Sequence, residues 1–287
     1  MSKEQIKNLV NYGVKKAAYC PILGIDAKGN EIYGNPITLP GLREFGGAPA
    51  GETSSIYADG GILITISANN GYAGTLSFTE LDNDFRMYAL GEFEDGSNVM
   101  YEHNAAQGKE FALLLEFAND VRDTRHAFFK CKIDRPEVAG ATAGDGGSIT
   151  ANYQNSNFTA MPRADGVVKN KTKVNTLSTV YENWFLTPPT VAPAMVKKSD
   201  PISAISAPAG AVIARISFIV QAIGGAEVTY QWYSTVDPQA AGTQIAGETA
   251  DQLDIPGSTA VETWFYCVAS APGLEPIKSG FTHLTVT

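Results

Sequence analysis

The chain has 287 residues, of which 44% are hydrophobic, 18% charged and 10% aromatic. This is the composition of a globular protein, and the length suffices for two modest domains that each bury a core. The formal net charge is −9, and no run of Lys or Arg exceeds a pair. Direct binding to nucleic acid is therefore disfavoured, because it needs clustered positive charge.

The cysteines and the N-terminal segment bear on the compartment. Cys20, Cys131 and Cys267 are odd in number and widely spaced, which fits neither a disulfide framework nor a CxxC site and indicates synthesis in a reducing compartment. Charges are scattered through the first residues, so we expect no signal peptide. No apolar run approaches the roughly 20 residues that span a bilayer, so we expect no membrane insertion.

The N-terminal part of the chain has the pattern of paired strands. Apolar runs on both sides of the turn cluster at 26–30 predict a hairpin with a longer loop. Residues 41–61 are rich in Gly, Ala, Pro and Ser and show no sustained periodicity. They predict a long loop with a functional role, with a disordered insertion as the alternative.

The stretch ANNGYAGT at 68–75 lies between the strand-like runs GILITIS and GTLSFTEL. It lacks the Lys of a phosphate-binding P-loop and the strand–helix context of a dinucleotide-binding fingerprint. We therefore predict a tight hairpin connection between two long strands, with Asn70 or Gly71 at positive φ. The structural turn residues are Asn70, Gly71 and Gly74.

A short helix and a second hairpin follow. Asp82 or Asn83 is suited to cap a helix that ends at Gly91. The apolar runs FALLLEF and RHAFFKCKI, separated by a polar turn, predict the hairpin. Further along, the apolar spacing over residues 177–185 predicts an amphipathic helix with one broad apolar face.

Prolines cluster between residues 186 and 201. Because Pro stiffens the chain and is excluded from helix interiors and central strands, the cluster predicts a domain boundary. We expect a first domain at 1–190, a Pro-rich linker at 191–201 and a second domain at 202–287. Short alternating strands with regular turns predict a β-sandwich for the second domain.

No pattern in the chain indicates catalysis, a cofactor or a metal. His103, His126 and His283 lie in three separate segments without ligand spacing around them. The acidic groups at 82–84 and 92–95 are typical of helix-cap charges and a solvated turn. We expect no catalytic, cofactor-binding or metal-binding residues, and no enzyme activity.

Several sequence blocks follow one another in a characteristic order over about residues 8–190. They include GNPITLPG, GETSSIYAD, ANNGYAGTL, DFRMYALGE, TRHAFFKC and GVVKNKT. Together they resemble the major tail proteins of long, non-contractile-tailed bacteriophages that infect mainly Gram-positive bacteria. The resemblance implies a mainly β fold, in which a tail-tube β-sandwich with a flanking α-helix contributes to a barrel shared between subunits.

The same resemblance implies a function and partners. Such proteins assemble into hexameric rings that stack into the tail tube, through which DNA passes without specific binding. The implied partners are further copies of the chain, the tape measure protein and the tail-tip proteins, and the implied location is the virion after synthesis in the host cytoplasm. Net acidity would keep DNA from adhering to the lumen.

Residues 202–287 resemble the immunoglobulin-like domains of bacteria and phages. In YQWYS, Trp232 matches the buried tryptophan of strand C, and in WFYCVAS, Cys267 matches the cysteine of strand F. The presumed strand B has no Cys, and Phe265 replaces the tyrosine-corner Tyr. The resemblance implies a domain that decorates the tube exterior, either as decoration alone or with weak binding to host cell-surface carbohydrate, although the sequence shows no clustered aromatic ladder.

Two other functions compete with the tail-tube hypothesis. A bacterial surface adhesion module built from β-sandwiches predicts a secretion signal or wall anchor. A hydrolase with a β-sandwich accessory domain predicts a pair of acids that converge in a cleft.

Overall fold

The computed structural model of the chain describes residues 7–58, 61–140, 151–207, 214–255 and 262–286. The chain divides into two compact units, Met1–Thr190 and Val191–Thr287. Both consist mainly of β-strands, which confirms the predicted fold class.

The first unit contains strands and two short helices. The strands are β1 (Asn11–Ile25), β2 (Glu31–Tyr33), β3 (Ile37–Thr38), β4 (Leu42–Ala50), β5 (Thr53–Ala58), β6 (Gly61–Ser67), β7 (Gly71–Phe78), β8 (Phe93–Glu94), β9 (Met100–Tyr101), β10 (Phe111–Asn119), β11 (Thr124–Ile133), β12 (Gln154–Met161) and β13 (Lys169–Lys171). The helices are α1 (Asn83–Ala89) and α2 (Ser178–Glu182), and a 3-10 turn (Asn183–Phe185) follows α2.

Within the described residues, nine of these strands form one sheet. Its order is β2-β1-β10-β11-β12-β7-β4, with β3 paired to β1 and β13 paired to β11. The two predicted hairpins are confirmed, because β1 pairs with β2 around the turn at 26–30 and β10 pairs with β11. Every strand of the main path runs antiparallel to its neighbours.

The sheet curls around an aromatic core. Phe45 lies on the terminal strand β4, yet its ring centroid is 5.8 Å from that of Phe117 on β10 and 5.4 Å from that of Phe128 on β11. Strands distant in the sheet order therefore share one core, as the twist of an antiparallel sheet allows. Phe111 and Leu113, both fully buried, belong to the same core.

Helix α1 covers part of this core. The side chain of Asp82 accepts a hydrogen bond from the Phe85 backbone N–H at 3.1 Å, which is the predicted N-cap. The Phe85 ring is buried, with its centroid 4.7 Å from that of Tyr19. Gly91 follows the helix at φ 75°, so the predicted C-terminal end is also confirmed.

The second predicted helix is shorter than its apolar pattern suggests. α2 spans one turn before the 3-10 turn, and neither contains a buried residue. Leu177 and Val180, which the pattern assigns to the buried face, are exposed. The broad apolar face is thus present in the sequence but is only partly covered.

The second unit is a β-sandwich. Its strands are β14 (Ala194–Ser199), β15 (Ala204–Ala207), β16 (Ala214–Ser217), β17 (Ile219–Ile223), β18 (Thr229–Thr235), β19 (Thr243–Gln244), β20 (Gln252–Ile255), β21 (Thr263–Ser270), β22 (Ile277–Lys278) and β23 (Thr282–Val286). One sheet has the order β15-β23-β21-β18-β19, while β16 pairs with β20 and β14 with β17. These strands form the sheets of a β-sandwich, and the immunoglobulin-like assignment of this unit stays a prediction.

Trp232 and Cys267 lie opposite each other on β18 and β21 and are fully buried in the core of this sandwich. The Trp232 indole N–H donates to the Ala250 carbonyl at 2.9 Å. Phe265 is buried in the same core and supplies no hydroxyl. Cys267 is a free thiol, so apolar packing and hydrogen bonds such as that of the Trp232 indole hold this core together.

The segment at 191–201 differs from the predicted linker. It contains strand β14, which pairs with β17, and it belongs to the second unit. Pro193 and Pro201 flank β14 and none lies within it, so every residue of the strand keeps its backbone N–H for pairing. The prolines bound a strand here and do not form a spacer.

Candidate functional site: an amphipathic two-stranded arm

Strands β5 and β6 form a ribbon that pairs only with itself among the described residues, and we call residues 53–67 the β-arm. The pairing runs from Thr53 opposite Ser67 to Ala58 opposite Gly61. The predicted loop at 41–61 is therefore wrong. This segment is β4 and β5, whose many small and polar residues hide the strand period.

The two faces of the β-arm differ. Cross-strand partners share a face, so Ile56 and Ile64 lie together on one side. On the other side, hydroxyl pairs join Thr53 to Ser67 at 3.0 Å and Ser55 to Thr65 at 3.1 Å. We call these the isoleucine face and the hydroxyl face. The part of the ribbon that these three cross-strand pairs form is amphipathic, and nothing in the described structure covers either of its faces.

Apolar exposure on the β-arm is high near its tip. Tyr57 is 70% exposed, Leu63 69% and Ile62 61%. Leaving side chains of this size in water forgoes about 1.5–3 kcal/mol each relative to full burial. An exposed apolar group on a strand ribbon with free edges is the signature of an interaction site.

The stretch at 68–75 joins the β-arm to the sheet. The Ala68 N–H donates to the Glu52 carbonyl at 2.9 Å and the Asn70 N–H to the Ala50 carbonyl at 2.7 Å, so the ribbon continues through this bend. β6 and β7 are successive parts of one side of a long hairpin and do not pair with each other. The tight turn between them is therefore a wrong prediction.

The glycines of this stretch serve close strand packing. Gly71 has φ 109°, as the sequence predicts, and its N–H donates to the Asn69 side chain at 3.2 Å. A Cβ at Gly71 would come 1.9 Å from the Ala160 carbonyl oxygen, and one at Gly74 would come 1.8 Å from that of Gly46. Gly74 thus lies inside β7, between β4 and β12, and shapes no turn.

The register gives the direction of the β-arm. Tyr72 of β7 pairs with Ala160, and Met161 pairs with Lys130 of β11. β12 thus relates the directions of β7 and β11: the end of β7 at Gly71 lies on the same side of the sheet as the end of β11 at Thr124. The β-arm leaves the sheet towards the end where the turn at 120–123 joins β10 and β11.

The histidines do not converge. His126 is largely buried between the rings of Phe117 and Phe128, with centroids at 5.1 and 6.3 Å. Burial, with smaller contributions from the nearby cations Lys169 and Lys171, lowers the pKa of His126 to about 4. His283 in the second unit is 3.6 Å from a Glu262 oxygen, and its ring stacks on that of Trp264 at 4.2 Å.

The acidic groups are engaged in the fold. Glu92 is buried and accepts two hydrogen bonds from Arg86, at 2.8 and 2.9 Å, so its assignment to a solvated turn is wrong. Asp95 accepts from the Ser97 and Val99 backbone N–H groups, which lowers the pKa of its carboxyl. Among the described residues, no group of three or more His, Cys, Asp or Glu could hold a metal ion.

In the second unit, aromatic rings pair on the outer side of the larger sheet. The sequence alone shows no clustered aromatic ladder there. The Tyr233 and Tyr266 rings stack at 5.0 Å, and the Lys278 ammonium lies 3.9 Å from the Tyr266 centroid. The Trp264 and His283 pair lies on the same sheet. Sequence reasoning misses these pairs because each combines strands that are distant along the chain.

Within the part of the chain that the structure describes, no helix is long and apolar enough to cross a membrane. No protein-family model matches the chain. No curated protein matches it either.

Proposed function

We propose that this protein is a structural, self-assembling subunit that forms a tube, acting as a major tail protein in a phage virion. The observation that carries the proposal is the β-arm, an amphipathic ribbon with exposed apolar side chains at its tip. A contact through such an arm uses different surfaces on the two copies, and repetition of a heterologous contact generates rings or helical arrays. The sequence blocks described above support the tail-tube assignment.

The terminal strand β4 supports the same proposal. Outside its pairing with β7, the described structure gives β4 no partner. An open antiparallel edge exposes backbone donors and acceptors that pair readily with another chain. Closing the sheet across subunits would satisfy that edge, and DNA would pass through the lumen without specific contacts, consistent with the acidic charge of the chain.

We further propose that the immunoglobulin-like unit decorates the exterior of the tube and binds host cell-surface carbohydrate weakly. The half-buried rings of Tyr233 and Trp264 support this role, since aromatic side chains combine apolar contact with polar tips. Binding of the full chain to purified host wall polysaccharide should fall for Trp264→Ala. Equal binding by the variant and the unaltered protein would contradict carbohydrate binding by this surface. The decorative role would then be the only role proposed for this unit.

Negative-stain microscopy of concentrated full-length protein tests the assembly. Hollow tubes or six-membered rings are expected. Because assembly of such a subunit can require a nucleus, the protein should also be mixed with tail-tip complexes. A strictly monomeric protein under both conditions that never co-purifies with tails would overturn the proposal.

A further inference from the structure

The end of the first unit towards which the β-arm points carries a second exposed apolar surface. It is formed by the N-terminal segment, the turn between β10 and β11, and the segment around α2. Leu9 is 86% exposed and Leu177 is 72% exposed. We call this the end surface, and its exposed apolar residues are Leu9, Val10, Tyr12, Val121, Leu177 and Val180.

The three segments of the end surface are joined by direct contacts. The Asn8 side-chain amide donates to the Arg122 carbonyl at 2.6 Å. The Arg122 guanidinium donates to the carbonyls of Val174 and Thr176, both at 2.8 Å, and lies 3.8 Å from the centroid of the Tyr181 ring. These contacts hold the three segments together, so their exposed apolar side chains lie at one end of the first unit. Exposed apolar patches on proteins mark interaction sites.

The charges around the end surface and the base of the β-arm are complementary. The described residues 48–58 and 61–70, which contain the β-arm, include one charged residue, Glu52, directly before β5. The end surface is rimmed by more lysines than carboxylates. The exposed lysines are Lys7, Lys15, Lys16, Lys171 and Lys173, and the carboxylates are Asp120, Asp123 and Glu182. Lys15 forms an ion pair with Asp123 of the same chain at 2.6 Å, so the charge available to a partner lies mainly on the other lysines.

We infer that the end surface receives the β-arm of a neighbouring copy of this chain, an inference that rests on the proposed self-assembly. In each copy, the β-arm and the end surface lie at the same end of the first unit. If two neighbouring copies have the same orientation, the β-arm of one therefore lies beside the end surface of the other. The isoleucine face then covers Leu177 and Val180, and Glu52 meets the lysine rim. The contact is heterologous, so it propagates around a ring.

Photo-crosslinking in assembled full-length protein tests the location. Replacing Ile64 by p-benzoylphenylalanine should give crosslinks between copies, identified by mixing isotope-labelled and unlabelled protein, to peptides from residues 7–16, 119–125 or 171–186. The same replacement at Thr65, on the hydroxyl face, should give fewer such crosslinks. Crosslinks from Ile64 confined to other peptides, in protein that forms tubes or rings, would overturn the inference and leave the proposed function standing.

Charge exchange tests the electrostatic part. The double change Lys171→Glu and Lys173→Glu should raise the concentration needed for assembly about tenfold, and adding Glu52→Lys should restore most of the loss. No loss, or a loss that Glu52→Lys leaves unchanged, counts against the inference. If the unaltered protein forms no assembly at all, alone or with tail-tip complexes, both the inference and the proposed function are overturned.

Discussion

Gly74 lies where β4, β7 and β12 run side by side, and it shows how one side-chain atom limits this fold. Its neighbours across the sheet are Gly47 and Phe158. Backbone this close leaves no room for a Cβ, which is a common reason for Gly inside a strand. The residue that looks like a turn former from its sequence context is therefore a packing residue.

Gly74→Ala should destabilise the first unit by about 1–3 kcal/mol, because the new Cβ meets backbone and cannot be relieved by a rotamer change. Thermal unfolding of the full chain measures the loss. Gly24→Ala is the matched control, since a Cβ there has nothing within 4 Å. Equal unfolding temperatures for the two variants would contradict the packing role.

Asp82 stabilises helix α1 through one hydrogen bond to the Phe85 N–H. Asp82→Ala should cost about 1 kcal/mol in the free energy of unfolding, measured by chemical denaturation, because that N–H loses its acceptor. Asp82→Asn keeps an acceptor of the same shape and should cost much less. A similar loss in both variants would show that charge and not capping is responsible.

His126 makes the stability of the first unit depend on pH. Its pKa falls from an ordinary 6.5 to about 4 on folding, so between these values the unfolded chain binds more protons than the folded one. Stability from this group is complete above pH 6.5 and is lost as pH falls towards 4. The Asp carboxyls with lowered pKa values, such as those of Asp95 and Asp123, titrate below this window.

Chemical denaturation at several pH values between 4 and 7 tests this linkage. The unaltered protein should lose on the order of 2–3 kcal/mol over this range through His126. His126→Gln, which does not titrate, should show a much shallower dependence. A variant with the same slope as the unaltered protein would assign the effect to other groups.

At the scale of elements, the β-arm has little support from the core of the first unit. Its strands pair with each other, and its apolar residues project into solvent in the isolated chain. Such an element contributes little to the stability of its own unit. In the proposed assembly, these apolar residues are covered by another copy of the chain.

Ile56→Ser together with Ile64→Ser should abolish assembly while leaving the unfolding temperature nearly unchanged, because neither side chain packs on the core. Sedimentation and negative-stain microscopy measure assembly. Ser55→Ala with Thr65→Ala alters the hydroxyl face to the same extent and should assemble. Loss of assembly in both pairs would show that the β-arm acts through its backbone or its overall integrity, not through the isoleucine face.

At the scale of the whole molecule, each unit has a core of its own. Phe111 and Phe128 belong to the first core, and Trp232 and Cys267 to the second. Small domains with separate cores generally unfold as separate cooperative units. Damage to one core should therefore be confined to one transition.

Trp232→Ala should lower the free energy of unfolding of the second unit by about 3–5 kcal/mol. The change removes the largest fully buried side chain among the described residues and its hydrogen bond to the Ala250 carbonyl. Calorimetry of the full chain should show the other transition in place, and assembly should persist. A shift of both transitions would mean that the units stabilise each other.

Much of the plan follows from sequence alone. Apolar runs around a polar turn located the hairpin at 111–133, and alternating patterns located the strands of the second unit. Local hydrogen-bonding chemistry located the cap at Asp82. These signals are local, because a strand alternates its faces and a cap satisfies an N–H three residues away. Features of this kind can be predicted from neighbouring residues without knowledge of the rest of the fold.

Tertiary structure decided what the strands pair with. The stretch ANNGYAGT has the composition of a hairpin turn, yet it continues one side of a ribbon, because β6 finds its partner in β5 and β7 finds its partners in β4 and β12. Strand pairing is non-local, and a pattern of period two specifies the faces of a strand but not its neighbours. For the same reason, the exposure of Ile56 and Ile64 and the ring pairs of the second unit emerge only once the chain is folded.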